Sequence, residues 1–72
     1  MDNNRFVVLW RHQDSEQLIK EIVYALTYNH THNGDVVFFE VVKDDEGDVI
    51  QIPVRSFAAG VWDKIALAEF NL

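Results

Sequence analysis

Residues 34–55, GDVVFFEVVKDDEGDVIQIPVR, decide how this chain is read. Two runs rich in Val, Ile and Phe flank the acidic segment Asp44-Asp45-Glu46-Gly47-Asp48. β-Branched and aromatic runs separated by a short Gly-containing segment read as a β-hairpin. A four-residue loop pairs Lys43 with Asp48 and groups Val37, Phe39 and Val41 with Ile50, Ile52 and Val54 on one face. Phe38, Glu40, Val42, Val49, Gln51 and Arg55 then share the other. A three-residue loop sets Glu40 among the isoleucines and Phe39 against Gln51. A slip of one residue flips every side chain, so the four-residue loop is the expected one. Pro53 cannot donate to a ladder, which places the second strand at a sheet edge.

Upstream, RFVVLWR (5–11) is a short apolar run and reads as a strand, with Phe6, Val8 and Trp10 on one side and Val7 and Leu9 on the other. Asp14, three residues before Gln17, has capping-box spacing and opens a predicted helix to about Asn29. Leu18, Ile19, Ile22, Val23, Ala25 and Leu26 fall in one arc of that helix, and Tyr24 and Tyr28 lie opposite. Asn33-Gly34 supplies the stop. Downstream, Ser56 reads as the N-cap of a second helix, FAAGVWDKIALAEF, with a stripe of Phe57, Val61, Ile65, Ala68 and Leu72. Trp62 borders the stripe, while Leu67 and Phe70 point off it.

The expected fold class is α+β: residues 1–72 form a single small domain, β-α-β-β-α, with a three-stranded mixed sheet packed against two helices. Helices on one side leave Phe38, Val42 and Val49 on an open sheet face. Helices on opposite sides cover both faces.

At 72 residues a single core is small, and domains below roughly 70–80 residues gain only about 3–5 kcal/mol from one. There is no Cys, which removes disulfides and thiolate metal ligands and fits a reducing compartment. Net charge is −6, from 12 acids against 6 bases. Such a surface repels phosphate backbones and favours basic partners. MDNNRFVVLW lacks the basic start of a secretion signal, and no apolar run approaches the ~20 residues of a membrane helix. A cytoplasmic protein is expected.

Motifs that carry chemistry are scarce. His30 and His32 have an i, i+2 spacing that a strand could turn toward one metal, with His12 or Asp35 as a third ligand. At a helix end the two diverge, and a solvated terminus is the plainer reading. The carboxylates of Asp44–Asp48 do not have EF-hand spacing. Ser15 and Ser56 lie in no nucleophile elbow, and Gly34, Gly47 and Gly60 form no phosphate loop. No catalytic residue, metal site or cofactor is assigned.

Aromatic and acidic residues are the remaining candidates. Tyr and Trp are over-represented among interface hot spots, and clustered acids create a strong local potential. The expected partner-binding set is Tyr24, Tyr28, Phe38, Glu40, Asp44, Asp45, Glu46, Asp48, Trp62 and Phe70. The expected function is a small acidic protein-binding regulator or inhibitor of a larger, basic partner. Its acids would stand in for phosphates, as in a DNA-mimic inhibitor of phage or antitoxin type. Two other classes fit: a homodimeric assembly protein using an open sheet face or edge strand, and a small metal-dependent enzyme using His12, His30 and His32.

Overall fold

The chain from Ile19 to His30 is extended, not helical. The computed structural model describes residues 3–12 and 14–67. Six strands are present: β1 (Asn4–Trp10), β2 (Ile19–Ala25), β3 (Thr27–His30), β4 (Val36–Lys43), β5 (Val49–Phe57) and β6 (Trp62–Leu67). They form two three-stranded antiparallel sheets, ordered β2-β1-β6 and β3-β4-β5. The fold is therefore all-β, and the expected α+β architecture with a mixed sheet is overturned: no helix occurs among the described residues.

Local chemistry explains both lost helices. Ile, Val, Tyr and Thr crowd residues 19–28, and these residue types favour a pleated backbone over a helix. In β2 the burial alternates, with Val23 and Ala25 enclosed and Lys20, Ile22 and Tyr24 outside. The outward Ile22 and Tyr24 disguise that period of two as a helical arc. The capping signal at Asp14 belongs to a loop, in which the Ser15 N–H donates to the His12 carbonyl and Ser15 Oγ accepts from the Gln17 N–H. The supposed second helix divides into the end of β5, a turn over residues 58–61 and β6. Ala68 and Leu72 of its predicted stripe, and Phe70 off it, lie outside the described residues.

The hairpin exists, and β5 is an edge as Pro53 requires, but the register differs from expectation. Lys43 pairs with Val49, not Asp48. Asp44 N–H donates to the Asp48 carbonyl at 2.9 Å, leaving three loop residues, Asp45–Gly47. Gly47 has φ 85°, the left-handed conformation that such a loop places at its last position. Glu40 therefore pairs with Ile52 and Val42 with Ile50. The pairing shifts again at Val54, an unpaired residue between Phe38↔Arg55 and Phe39↔Pro53, which marks a bulge. The turn between β3 and β4 repeats the same construction. Thr31 N–H donates to the Asp35 carbonyl, Gly34 N–H donates to the Thr31 carbonyl, and Gly34 has φ 91°. THNGD and DDEGD are two copies of one turn.

The core follows from these registers and lies on the face opposite to the expected one. Val36 and Phe38 of β4, not Val37, Phe39 and Val41, point between the sheets and are fully enclosed. Phe39 is also buried but stands outside the main cluster. Phe6 and Val8 of β1, Val23 and Ala25 of β2 and Phe57 of β5 complete that cluster, with Trp10, Tyr28, Trp62 and Ile65 at its margins. Phe38 is the hub: its ring meets Phe6 at 5.3 Å, Tyr28 at 5.2 Å and Phe57 at 6.1 Å, in tilted and edge-on geometries. Such pairs add to the area they bury.

Two outcomes are expected. The far-UV circular dichroism spectrum shows strand without a helical signature, and Phe38→Ala lowers unfolding free energy by about 3–5 kcal/mol in urea titration; a loss below about 1 kcal/mol contradicts its place in the core. At Gly47 no atom lies within 4 Å of an added Cβ, so substitutions report conformation alone. Gly47→Asn should retain most of the stability, whereas Gly47→Val should cost about 1–2 kcal/mol.

Candidate functional site

Two regions combine polar chemistry with exposure: the outer half of the β4–β5 hairpin and a polar cluster between the sheets. The hairpin is built from the face that carries Val36 and Phe38. Beyond Glu40 that face emerges from under the other sheet, and Val42, Ile50 and Ile52, though on the core-facing side, are exposed. The Asn3 side-chain amide reaches Glu40 Oε2 only at 3.5 Å. The tip beyond carries Asp44, Asp45, Glu46 and Asp48. Asp44 Oδ1 accepts from the Glu46 N–H at 2.9 Å and the Asp48 N–H at 2.8 Å, so one carboxylate organises the turn. The side chains of Asp45, Glu46 and Asp48 stand exposed around it.

The second region was not foreseen. Glu21 of β2 and Arg55 of β5 face each other between the sheets. Arg55 Nε donates to Glu21 Oε2 at 2.7 Å and Arg55 Nη2 to Glu21 Oε1 at 3.0 Å. Trp10 Nε1 also donates to Glu21 Oε1, at 3.1 Å. The guanidinium carbon lies 4.2 Å from the centroid of the Phe57 ring and 5.7 Å from that of Trp10. A planar cation set against two neighbouring rings, 5.8 Å apart, and paired through two nitrogens is a geometry Lys cannot reproduce. The hydrogen bond from Arg55 holds the Glu21 carboxyl below its ordinary value; partial burial opposes this, while the attraction of the Arg55 charge and the Trp10 hydrogen bond assist. The same bond pushes the Arg55 guanidinium higher still. No local motif marks these residues, because a bulge and a second sheet bring them together.

The remaining expected site residues are scattered. Tyr24 is 62% exposed on the outer side of β2, and Tyr28 faces inward from β3, with its ring 5.5 Å from Phe6. They therefore do not share a helical face. Phe38 is enclosed in the core. Trp62 packs against the core and donates from Nε1 to the Gly34 carbonyl at 3.0 Å. Phe70 lies outside the described residues. His12 stacks edge-on against Trp10 at 4.9 Å, and His30 lies between Tyr28 and Trp62 at 5.6 and 5.3 Å. His12, His30 and His32 do not gather: no group of three His, Cys, Asp or Glu that could hold a metal occurs among the described residues. An open groove of about 630 Å³ runs between β3 and β6, lined by Phe6, Tyr28, His30, Ile65 and Leu67 among others. No described helix is long and apolar enough to cross a membrane. Comparison with protein-family models, curated proteins and solved structures returns no match.

The Glu21–Arg55 pair yields a pH prediction. A carboxyl whose folded pKa lies below its ordinary 4.5 contributes stability that is fully present above that value and is lost as pH falls through the lowered one. Glu21→Gln should cost about 1 kcal/mol at pH 7, a figure kept small because both side chains remain partly solvated. The gap between variant and wild type in urea midpoint should narrow as pH drops below 4.5. A gap that stays constant down to the acid unfolding limit rules the linkage out.

Proposed function

We propose that the chain is a protein-binding domain whose acidic hairpin tip engages a basic surface on a partner protein. The observation that carries this reading is the placement of Asp44, Asp45, Glu46 and Asp48 at the end of a hairpin that projects past the opposing sheet. The ion pairs Arg11–Asp63 and Arg55–Glu21 lie elsewhere in the fold. Acids held this close on a rigid turn create a local negative potential that accelerates and orients association with a cationic surface. The net charge of −6 acts in the same direction and opposes direct contact with nucleic acid. A protein groove that otherwise receives phosphates has the complementary chemistry, and spaced carboxylates on a hairpin can occupy it. The role is one of binding, with no bond made or broken.

The test is a quadruple neutralisation, Asp44→Asn, Asp45→Asn, Glu46→Gln and Asp48→Asn. Asparagine at 44 keeps an oxygen for the Glu46 and Asp48 N–H groups, so the turn should survive. Against a basic protein captured from the native host, wild-type affinity is expected to fall at least tenfold between about 50 and 300 mM salt. The neutralised variant should bind at least tenfold more weakly at low salt and lose the salt dependence. Equal affinity of the two proteins would sink this reading.

A further inference from the structure

Strand β5 pairs with β4 on one side only, and among the described residues no strand pairs with its other side. Val49 through Val54 are all exposed. The ladder shows which backbone groups face outward. Antiparallel pairs alternate between hydrogen-bonded and non-bonded. Asp44–Asp48 is a bonded pair, so Val42–Ile50 and Glu40–Ile52 are bonded, and Val49, Gln51 and Pro53 turn their N–H and C=O positions away from β4. Two independent facts agree. The Phe39 carbonyl accepts from the Leu26 N–H and so faces away from Pro53, and Pro53, which has no N–H, occupies an outward position where none is needed for the fold. Val49 and Gln51 therefore offer a short run of free donors and acceptors. Exposed Val42, Ile50 and Ile52 flank it on one face.

We propose that this edge pairs antiparallel with β5 of a second copy of the chain, centred on Ile50. In that register Val49 of each copy exchanges both backbone bonds with Gln51 of the other. Ile50 meets its own counterpart across the two-fold axis, Val42 of each copy lies behind it on β4, and Ile52 stands opposite Asp48 of the other copy. Neighbouring registers are poorer. Centring on Gln51 sets Val49 against Pro53, which lacks a donor. Centring on Val49 sets Gln51 against Gly47 and moves the acidic tips closer together. Pro53 and the bulge at Val54 end the ladder after Ile52, so the contact closes as a dimer and does not extend into a ribbon.

Charge permits this pairing. Glu46 of one copy lies opposite Val54 of the other and Asp48 opposite Ile52, so the two Glu46 stand eight residues apart along the strand (54 − 46), about 27 Å, and the two Asp48 four residues apart (52 − 48), about 13 Å. Both spacings exceed the ~8 Å screening length at physiological salt.

The test is sedimentation equilibrium of the full chain from about 10 to 200 μM. A dimer is expected. Gln51→Pro removes an N–H that has no partner among the described residues, so it should leave the fold intact, as judged by circular dichroism, and weaken dimerisation at least tenfold. Gln51→Thr, which keeps that N–H, should dimerise like wild type. Ile50→Lys, at an exposed position, reads the same interface without a change of backbone and should also give monomer. A wild-type chain that is monomeric throughout, or Gln51→Pro and Ile50→Lys proteins that dimerise as firmly as Gln51→Thr, overturns the proposal; a monomer leaves the edge to a strand of another protein. The quadruply neutralised tip variant should still dimerise, which separates this proposal from the basic-partner reading.

Discussion

One continuous strand, bent at Leu26, holds the molecule together. Before the bend it pairs with β1 and after it with β4, so a single run of chain belongs to both sheets. The Leu26 N–H donates to the Phe39 carbonyl and its own carbonyl accepts from the Asn4 side-chain amide at 2.8 Å, which keeps the backbone satisfied where it leaves both ladders. The inner faces on either side of the bend then converge. Val23 and Ala25 meet Phe6 from one sheet, and Tyr28 meets Phe38 from the other. Neither sheet alone has enough apolar surface to persist in water, since three strands need a second layer to bury a face.

So small an interior cannot be sealed with hydrocarbon on every side. At the margin where β2 approaches β5 it closes with Glu21, Arg55 and Trp10 instead. Arg55 covers the Phe57 ring with its guanidinium and satisfies a carboxylate at the same time. The pair joins the sheets at a point where the bend does not reach. Removing one member alone leaves the other half-buried and unpaired, which is why such pairs specify geometry more than they add stability.

The strands that repeat a simple alternation were legible in the sequence: β1, the existence of the β4–β5 hairpin, and the edge position that Pro53 demands. The misreading began at Ile22 and Tyr24. Their outward apolar side chains fill the positions that would otherwise display a period of two, and an arc of a helical wheel fits what remains. THNGD argues against a helix, since it matches DDEGD in its Gly-Asp ending and forms the same turn. Asn33-Gly34 therefore joins two strands where a helix stop was read. Register failed for a related reason. Apolar matching across the hairpin favoured an even loop, but a left-handed Gly47 fixes an odd one, and the bulge at Val54 restores the inward direction of Phe57. At the site, the acidic tip could be located from composition, whereas the Glu21–Arg55 contact depends on both the bulge and the second sheet.

The pairing of β1 with β6, Phe6 opposite Leu67, has a kinetic consequence. The central strand of one sheet waits for the last strand of the described chain, so that sheet cannot be completed by local steps. The β1–β2, β3–β4 and β4–β5 pairings join strands that are neighbours in sequence and can form early. Closing the large loop between β1 and β6 orders much of the chain before its contacts form, and such topologies fold in milliseconds to seconds, more slowly than helical domains of equal size. Until β6 docks, Phe6 and Val8 lack one neighbouring strand, and the nascent protein presents an unpaired apolar edge to whatever surrounds it.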